Sequence, residues 1–432
     1  MTAREFPAGR HVSGEDFIGR QRELGGLEAC LVSVNNVAVT GLPRIGKSSL
    51  VQMAVRRLAE SRRDPELRFV QLALAKSQRA EEFFGGLARA LHELAFPGAL
   101  PPNPPCHPYA EIQFHIDQAE NSMRSLEMRG IRVKVVVDEF DFAPFVLGAT
   151  ISNVREQLLC SHRFGNLSMV TISQASLEQL FEFELGSDFP GLFGGSRISV
   201  CGFDEDDMEA FHDVVRERCP ALGAASWRII LDEAGHHPFL LACWANSALK
   251  HGRMLPNSDE GDVELSRRLQ GERFAHEEAL RYQVRAVRRL KLHEHLGSLA
   301  RGCSSPTSEL RDLRLYGLVD NGGRATIPAL LRPWAEAELR EEAVEEFDLI
   351  RDLALSALEA GKRKQSEAGL ALAPHALRQL RRNLDELDAV ISVCTCLDHV
   401  LRLDSGLLRP TAELLSAMHS RFATASQFIE RL

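Results

Sequence analysis

Hydrophobic positions along the chain follow two alternating rhythms. Short runs rich in β-branched residues stand at 36–40, 67–74, 131–137, 167–174 and 197–203, and each predicts a buried strand. Between them apolar residues return at helical spacing. The stretch 50–58 predicts a helix, as do Phe83, Phe84, Leu87, Leu91 and Leu94, which recur at three- and four-residue steps. Further helices are predicted over 23–34, 109–128 and 149–161. The stretch 96–108 holds six prolines and no periodicity, and predicts an exposed loop. Strand and helix in alternation predict an α/β fold with a parallel αβα core.

After residue 203 the strand-like runs give way to helical patterning. Asp204, Glu205, Asp206 and Asp207 open a helix with acids at its positive end. Over 290–334 two helical stretches, one around His295 and one over 308–316, precede a glycine-rich hairpin at 317–327, the order of a winged helix. From 339 onward the pattern is helical throughout, with Leu377, Leu380, Leu384, Leu387 and Val390 in step. The expected parts are a core at 1–203, a helical lid at 204–284, a winged helix at 285–338 and an all-α region at 339–432.

Composition narrows this picture. At 44% hydrophobic and 26% charged residues, 432 residues suffice for several ordinary globular cores. A net charge of −9 excludes a surface built as a whole for nucleic acid, so any such site is local. One local excess exists: residues 285–338 carry nine Lys and Arg against six Asp and Glu. The nine cysteines are odd in number and scattered, which fits free thiols in a reducing compartment. Cys394, Cys396 and His399 lack a fourth ligand for zinc, and His236 and His237 lack partners at useful spacing. The first seven residues are not a signal peptide and no run of eighteen apolar residues occurs, so a cytoplasmic protein without membrane attachment is expected.

The chemistry concentrates after the first strand. Gly41-Leu42-Pro43-Arg44-Ile45-Gly46-Lys47-Ser48-Ser49 fits the P-loop pattern G-x-x-x-x-G-K-[ST] at every fixed position, between a strand and a helix as that motif requires. Its backbone N–H groups and the positive helix end form a phosphate cradle, with Gly41 and Gly46 allowing the close approach. Lys47 would reach the β- and γ-phosphates of ATP, and the Ser48 hydroxyl would bind Mg²⁺. The third strand ends in Asp138-Glu139, about ninety residues further on. Asp138 would hold Mg²⁺, directly or through water, and Glu139 would orient and deprotonate the attacking water. Asp141 reads as a turn or helix cap, with a third metal ligand as the alternative.

Ahead of the loop, Phe17-Ile18-Gly19-Arg20-Gln21-Arg22-Glu23 resembles the box that precedes the nucleotide loop in AAA+ ATPases and in the signal-transduction NTPases called STAND. The resemblance covers roughly residues 14–335. It implies that Phe17 and Ile18 lie against adenine, and that Ser173 or Gln174, at the end of the fourth strand, senses the γ-phosphate. The chain has no arginine at that strand end, where many STAND relatives have one. Arg155 and Arg163 fall where AAA+ proteins carry an arginine finger, though a solvated helix face explains them equally well. Ala234-Gly235-His236-His237-Pro238 is similar to the STAND G-x-P element, with one residue more between glycine and proline; Pro238 would then pack near adenine.

The nucleotide set expected on these grounds is Phe17, Ile18, Gly41, Pro43, Arg44, Ile45, Gly46, Lys47, Ser48, Ser49, Ser173 and Pro238, with Lys47 and Glu139 catalytic and Ser48 and Asp138 on Mg²⁺. The resemblance implies a slow ATPase working as a switch, in which ATP or ADP sets the arrangement of lid and winged helix. A protein partner or a second copy would then be engaged through the C-terminal helices. Two rivals stand beside it. One is an origin-recognition-like ATPase that contacts DNA through Arg311, Arg314 and Arg324, and the other a nucleotide-binding scaffold without turnover.

Overall fold

A computed structural model of the chain describes residues 5–337, apart from 13, 62–63, 78, 103–107, 151–153, 155–164, 182–188, 301–306 and 321. The chain divides into two compact units, Met1–Trp334 and Ala335–Leu432. The predicted helices beyond 338, Cys394, Cys396, His399, Arg155 and Arg163 all lie outside the described residues.

The fold is α/β. Five strands, β1 (Val37–Thr40), β2 (Leu67–Ala73), β3 (Arg132–Asp138), β4 (Leu167–Ser173) and β5 (Arg197–Ser199), form one parallel sheet in the order β2-β3-β4-β1-β5. β4 is buried at every position, as a parallel strand covered on both faces should be. Register sets Ala73 beside Asp138, and Thr40 beside both Ser173 and Ser199. The ends of β1, β3 and β4 therefore share one carboxyl edge. There β1 pairs with β4 and β5, although β2 follows it in the chain; such a switch in strand order opens a crevice at the carboxyl ends.

The pleat sends alternate side chains to two cores. Val37 and Val39 join one core and Ala38 the other, while Val133, Val135 and Val137 face opposite to Val136. On one face, Leu24, Leu27 and Leu31 of the helix Gln21–Val32 pack with Leu50, Val51, Ala54 and Leu58 of the helix Lys47–Ser61. On the other, Phe83, Phe84, Leu87 and Leu91 of the helix Ala80–Ala95 meet Ile116, Ala119, Met123 and Leu126 of the helix Pro108–Met128.

One expectation is corrected here. The fifth strand stops at Ser199 rather than running to 203. Val200 still donates to Thr40 O (2.7 Å), but Cys201 O is taken by the Arg20 guanidinium and Phe203 N–H by His236 O (2.8 Å each), which turns the chain out of the sheet. Helical turns lead into the stretch 149–161, where a helix is expected. Phe140–Phe142 is a 3₁₀ turn, Ala143–Val146 a short helix with Pro144 in its first turn, and Gly148–Thr150 a second 3₁₀ turn; the rest of 149–161 lies outside the described residues apart from Val154.

Beyond the sheet the chain is helical. Glu205–Arg218 starts with a reciprocal capping box between Asp204 and Asp207, so the acidic run does serve the helix start. Ala224–Ala234 ends at Gly235 (φ 54°), where a Cβ would stand 1.8 Å from Thr326 O. Pro238–Gly252, Asp259–Gly271 and Arg273–Arg289 follow, then His293–Ala300 and Thr307–Leu315. A tight hairpin joined by the antiparallel bridge Val319–Ala325 comes next, and Pro328–Leu331 and Arg332–Ala337 close the described chain. Leu313, Tyr316, Leu318, Ile327, Leu330 and Trp334 belong to the same core as the P-loop helix.

Candidate functional site

At the end of β1 the chain bends at Gly41 (φ 155°), where a Cβ would lie 2.4 Å from Val200 O, so that position admits only glycine. Gly46 (φ 101°) leads into the helix Lys47–Ser61, and an added Cβ there would meet nothing nearer than Arg20 Nε at 3.9 Å. The N–H groups of that helix's first turn lack helical partners and carry the positive end of the dipole. Lys47 is only 8% exposed, and its Nζ donates to Gly41 O (2.9 Å) and Leu42 O (2.8 Å). Burial pushes its pKa down to about 8; the fields of Asp141 and Asp138 oppose this, and that of Arg289 adds to it. The loop thus holds an ammonium whose direct partners are its own carbonyls, beside a helix N-terminus. An anion placed there would answer both.

Asp138 ends β3, and its Oδ1 accepts the Glu139 N–H at 2.8 Å. Glu139 is exposed and left-handed (φ 56°), which turns the chain back across the end of β4. Asp141 is not a helix cap. Its carboxylate accepts the Gln174 N–H (3.0 and 2.8 Å to its two oxygens) and the Ala175 N–H (3.1 Å), the donors left free where β4 stops. Of the two sensing candidates, Ser173 is buried and donates its hydroxyl to Ala175 O (2.7 Å), whereas Gln174 Oε1 accepts from Arg289. Ser48 is half-buried at the start of the P-loop helix; the Ser49 hydroxyl accepts the Val12 N–H (3.0 Å) and so serves the N-terminal segment.

Among the described residues, no group of three or more His, Cys, Asp or Glu could hold a metal. Ser48 and Asp138 offer hard oxygen donors but fewer than a complete set. That fits Mg²⁺, which keeps waters and takes oxygens from substrate phosphates, and does not fit a protein-caged ion.

The Gly19-Arg20 pair is an internal tie. A Cβ on Gly19 (φ 70°) would meet Asp207 Oδ1 at 2.4 Å. Arg20 is buried and left-handed (φ 57°), and its Nη2 donates to Ile45 O and Cys201 O, both at 2.8 Å. Its N–H bonds Asp207 Oδ1 (2.5 Å), its Nη1 meets Glu23 (3.3 Å), and its guanidinium sits 5.2 Å from the Phe203 ring centre. Burial lowers its pKa, with Glu23 and Asp207 opposing. Arg20 thus joins the P-loop and the chain just past β5 through its guanidinium, and the start of the helix Glu205–Arg218 through its backbone N–H. Phe17 and Ile18, just before it, are half-buried against the same core.

The helices Pro238–Gly252 and Arg273–Arg289, in and beyond the expected lid, grip the tip of the loop. Pro43 O accepts from the buried Gln283 amide (3.3 Å), and the Arg44 guanidinium lies 4.5 Å from the Phe239 ring and 4.7 Å from the Tyr282 ring. Pro238 occupies the first turn of its helix, and His237 before it is packed against the Pro43 backbone, where burial pushes its pKa down to about 3. Pro43 and Arg44, expected on nucleotide, are thus held by the lid. Sequence reasoning missed Gln283, Arg289 and the binding role of Arg20. Only Arg20 left a signal, in the box ahead of the loop.

No model of a known family matches the chain, and no curated protein does. Among solved structures the chain is similar to a Walker-type ATPase of Pyrococcus abyssi, at 15% identity over 76% of this chain and 99% of that one, with a TM-score of 0.47. It is also similar to the Aeropyrum pernix ORC1 protein in complex with DNA, at 16% identity over 74% and 93% of the two chains and a TM-score of 0.38. A third is CDC6P of Pyrobaculum aerophilum, at 16% identity over 76% and 98% and a TM-score of 0.36. At such values the functional reading stays with this chain's own residues.

Proposed function

We propose that the protein binds ATP and ADP with Mg²⁺ at the carboxyl edge of the sheet and acts as a STAND-type switch with slow hydrolysis. The observation that carries this is Lys47, a buried ammonium folded onto Gly41 O and Leu42 O at the mouth of a helix N-terminus. Phosphate would draw Nζ off those carbonyls, with Gly46 and the N–H groups of Lys47, Ser48 and Ser49 around it. Ser48 and Asp138 would hold Mg²⁺, which when bound neutralises phosphate charge. Glu139, exposed at the strand end, would take the proton of the attacking water. Phe17 and Ile18 would pack against adenine, and Pro238 would face it from the lid.

The switch reading is supported by how the hairpin segment is tied. His236 N–H bonds Thr326 O (2.9 Å), Glu233 accepts from both Arg273 and Arg332, and Tyr316 Oη donates to Gln179 Oε1 (2.7 Å). The lid that grips Pro43 and Arg44 therefore also holds the hairpin, so a change at the loop has a packed route to it. The C-terminal unit would engage a partner or a second copy. A DNA-binding reading has one observation in its favour: Arg311, Arg314 and Arg324 are all exposed on the helix and hairpin. Reversing the charge of Arg311 and Arg314 separates the two. A switch alters ATP turnover or oligomerisation without DNA, whereas a DNA reader loses duplex affinity and its salt slope flattens by about 2.

A further inference from the structure

The turn after β4 is held from three directions. From the phosphate side, Asp141 takes the N–H groups of Gln174 and Ala175. From the end of the helix Arg273–Arg289, which begins in the expected lid, Arg289 donates to Gln174 Oε1. From the hairpin segment, Tyr316 donates to Gln179 Oε1, which also accepts the Ser176 N–H (3.0 Å) in the capping box of the short helix Leu177–Leu180. Tyr316 is buried, and burial pushes its pKa up to about 12, so it stays a neutral donor.

We propose that Asp141 is a positioning residue that locks this turn, so that the phosphate site is coupled through Gln174 to the lid and through Gln179 to the hairpin segment. This rests on the reading of the loop as an ATP site. Three features favour coupling over simple bracing. Asp141 lies three residues past Asp138 and two past Glu139, so anything that shifts those carboxylates shifts it. Its charge reaches both ends of the line: it supports the protonated form of Lys47 and the neutral form of Tyr316. And Gln174 uses its backbone for Asp141 and its side chain for Arg289, so the two ties cannot move independently. A carboxylate is needed, since it accepts both N–H groups at once; an amide in its place would turn an NH₂ toward one of them.

The test uses the full chain, with hydrogen exchange of residues 316–327 measured in ADP and in a non-hydrolysable ATP analogue. In the wild type the two nucleotides are expected to give different protection of that segment. Asp141→Asn should erase the difference and lower kcat about tenfold with KM unchanged, the scale of one lost charge-assisted hydrogen bond. Its ADP affinity should stay within about twofold, because the cradle itself is intact. Tyr316→Phe removes only the hydroxyl, and should shrink the same difference even if Asp141→Asn does not fold. If the wild type binds neither nucleotide, the ATP reading fails and this proposal with it. If nucleotide binds and either variant keeps the full difference in protection, Asp141 is a brace and the coupling is wrong while the ATP reading stands. A melting point lowered with the difference retained is that same adverse result.

Discussion

The two faces of the sheet are built to different ends. Behind one, Phe83, Phe84, Leu87 and Leu91 close against the helix Pro108–Met128, and that core ends in the helical layer and the phenylalanines Phe140, Phe181, Phe189 and Phe193. Behind the other, the core does not end. It runs from Leu24 and Leu50 through Leu240 and Trp244 of the lid to Leu313, Leu318 and Trp334 at the hairpin. Its polar ties also cross long distances in the chain, as from Pro43 to Gln283 and from Arg20 to Asp207. The first face closes within the sheet's own layer, apart from the tie of Gln179 to Tyr316. The second places the P-loop inside a packed structure whose far end is the hairpin, which is the connection the proposed switch requires.

Substitutions can set these faces against each other. The largest effect expected is on turnover: Glu139→Gln should lower it by about 10²–10⁴, the worth of a general base, while ATP affinity holds. Steady-state hydrolysis beside calorimetric binding reads both numbers, and full turnover in the variant would remove Glu139 from its role. Phe84→Ala, on the holding face, should cost about 3–5 kcal/mol of stability. Its nucleotide affinity at low temperature should match the wild type, and a parallel loss of affinity would show that the two faces are not separate. On the moving face Glu233→Gln should cost less, about 1–3 kcal/mol, because it weakens the charged bonds to Arg273 and Arg332. If these ties support the site, the variant binds nucleotide more weakly and its deficit grows when nucleotide is present; equal losses with and without nucleotide would detach these helices from the site.

The smallest effect comes from pH. Lys47 has a lowered pKa, about 8, in the free protein, and a bound phosphate would raise it. Affinity should therefore be flat below pH 8 and fall above it, by at most about tenfold per unit, with proton uptake on binding near pH 8. Titrations in two buffers of different ionisation enthalpy measure that uptake, and none at pH 8 would contradict the assignment.

How much of this was legible depended on the range of the interaction. β1 to β4 were legible to within a residue, because their β-branched runs are local and both faces are covered. The fifth strand was read too long because the apolar pattern persists past Ser199 while Arg20, some 180 residues earlier, takes Cys201 O. The placement of the glycine loop between β1 and a helix, and of Asp138 at the end of β3, was legible from the strand patterns before them. The turn at Asp141 was legible, but its partners were not, because the Gln174 and Ala175 N–H groups lie just past the end of β4, some 33 residues on. Arg289 and Gln283 carry no local pattern at all: only the packing of the lid brings them to Gln174 and Pro43.

If Lys47 waits on its own loop for a phosphate, calorimetric titration of Mg²⁺-ATP into the wild type and Lys47→Ala will separate the two proteins. The wild type should bind, and the variant should lose at least about a hundredfold in affinity, the scale of a desolvated charge contact, with its folded state intact by circular dichroism. Undiminished binding by Lys47→Ala would contradict the account.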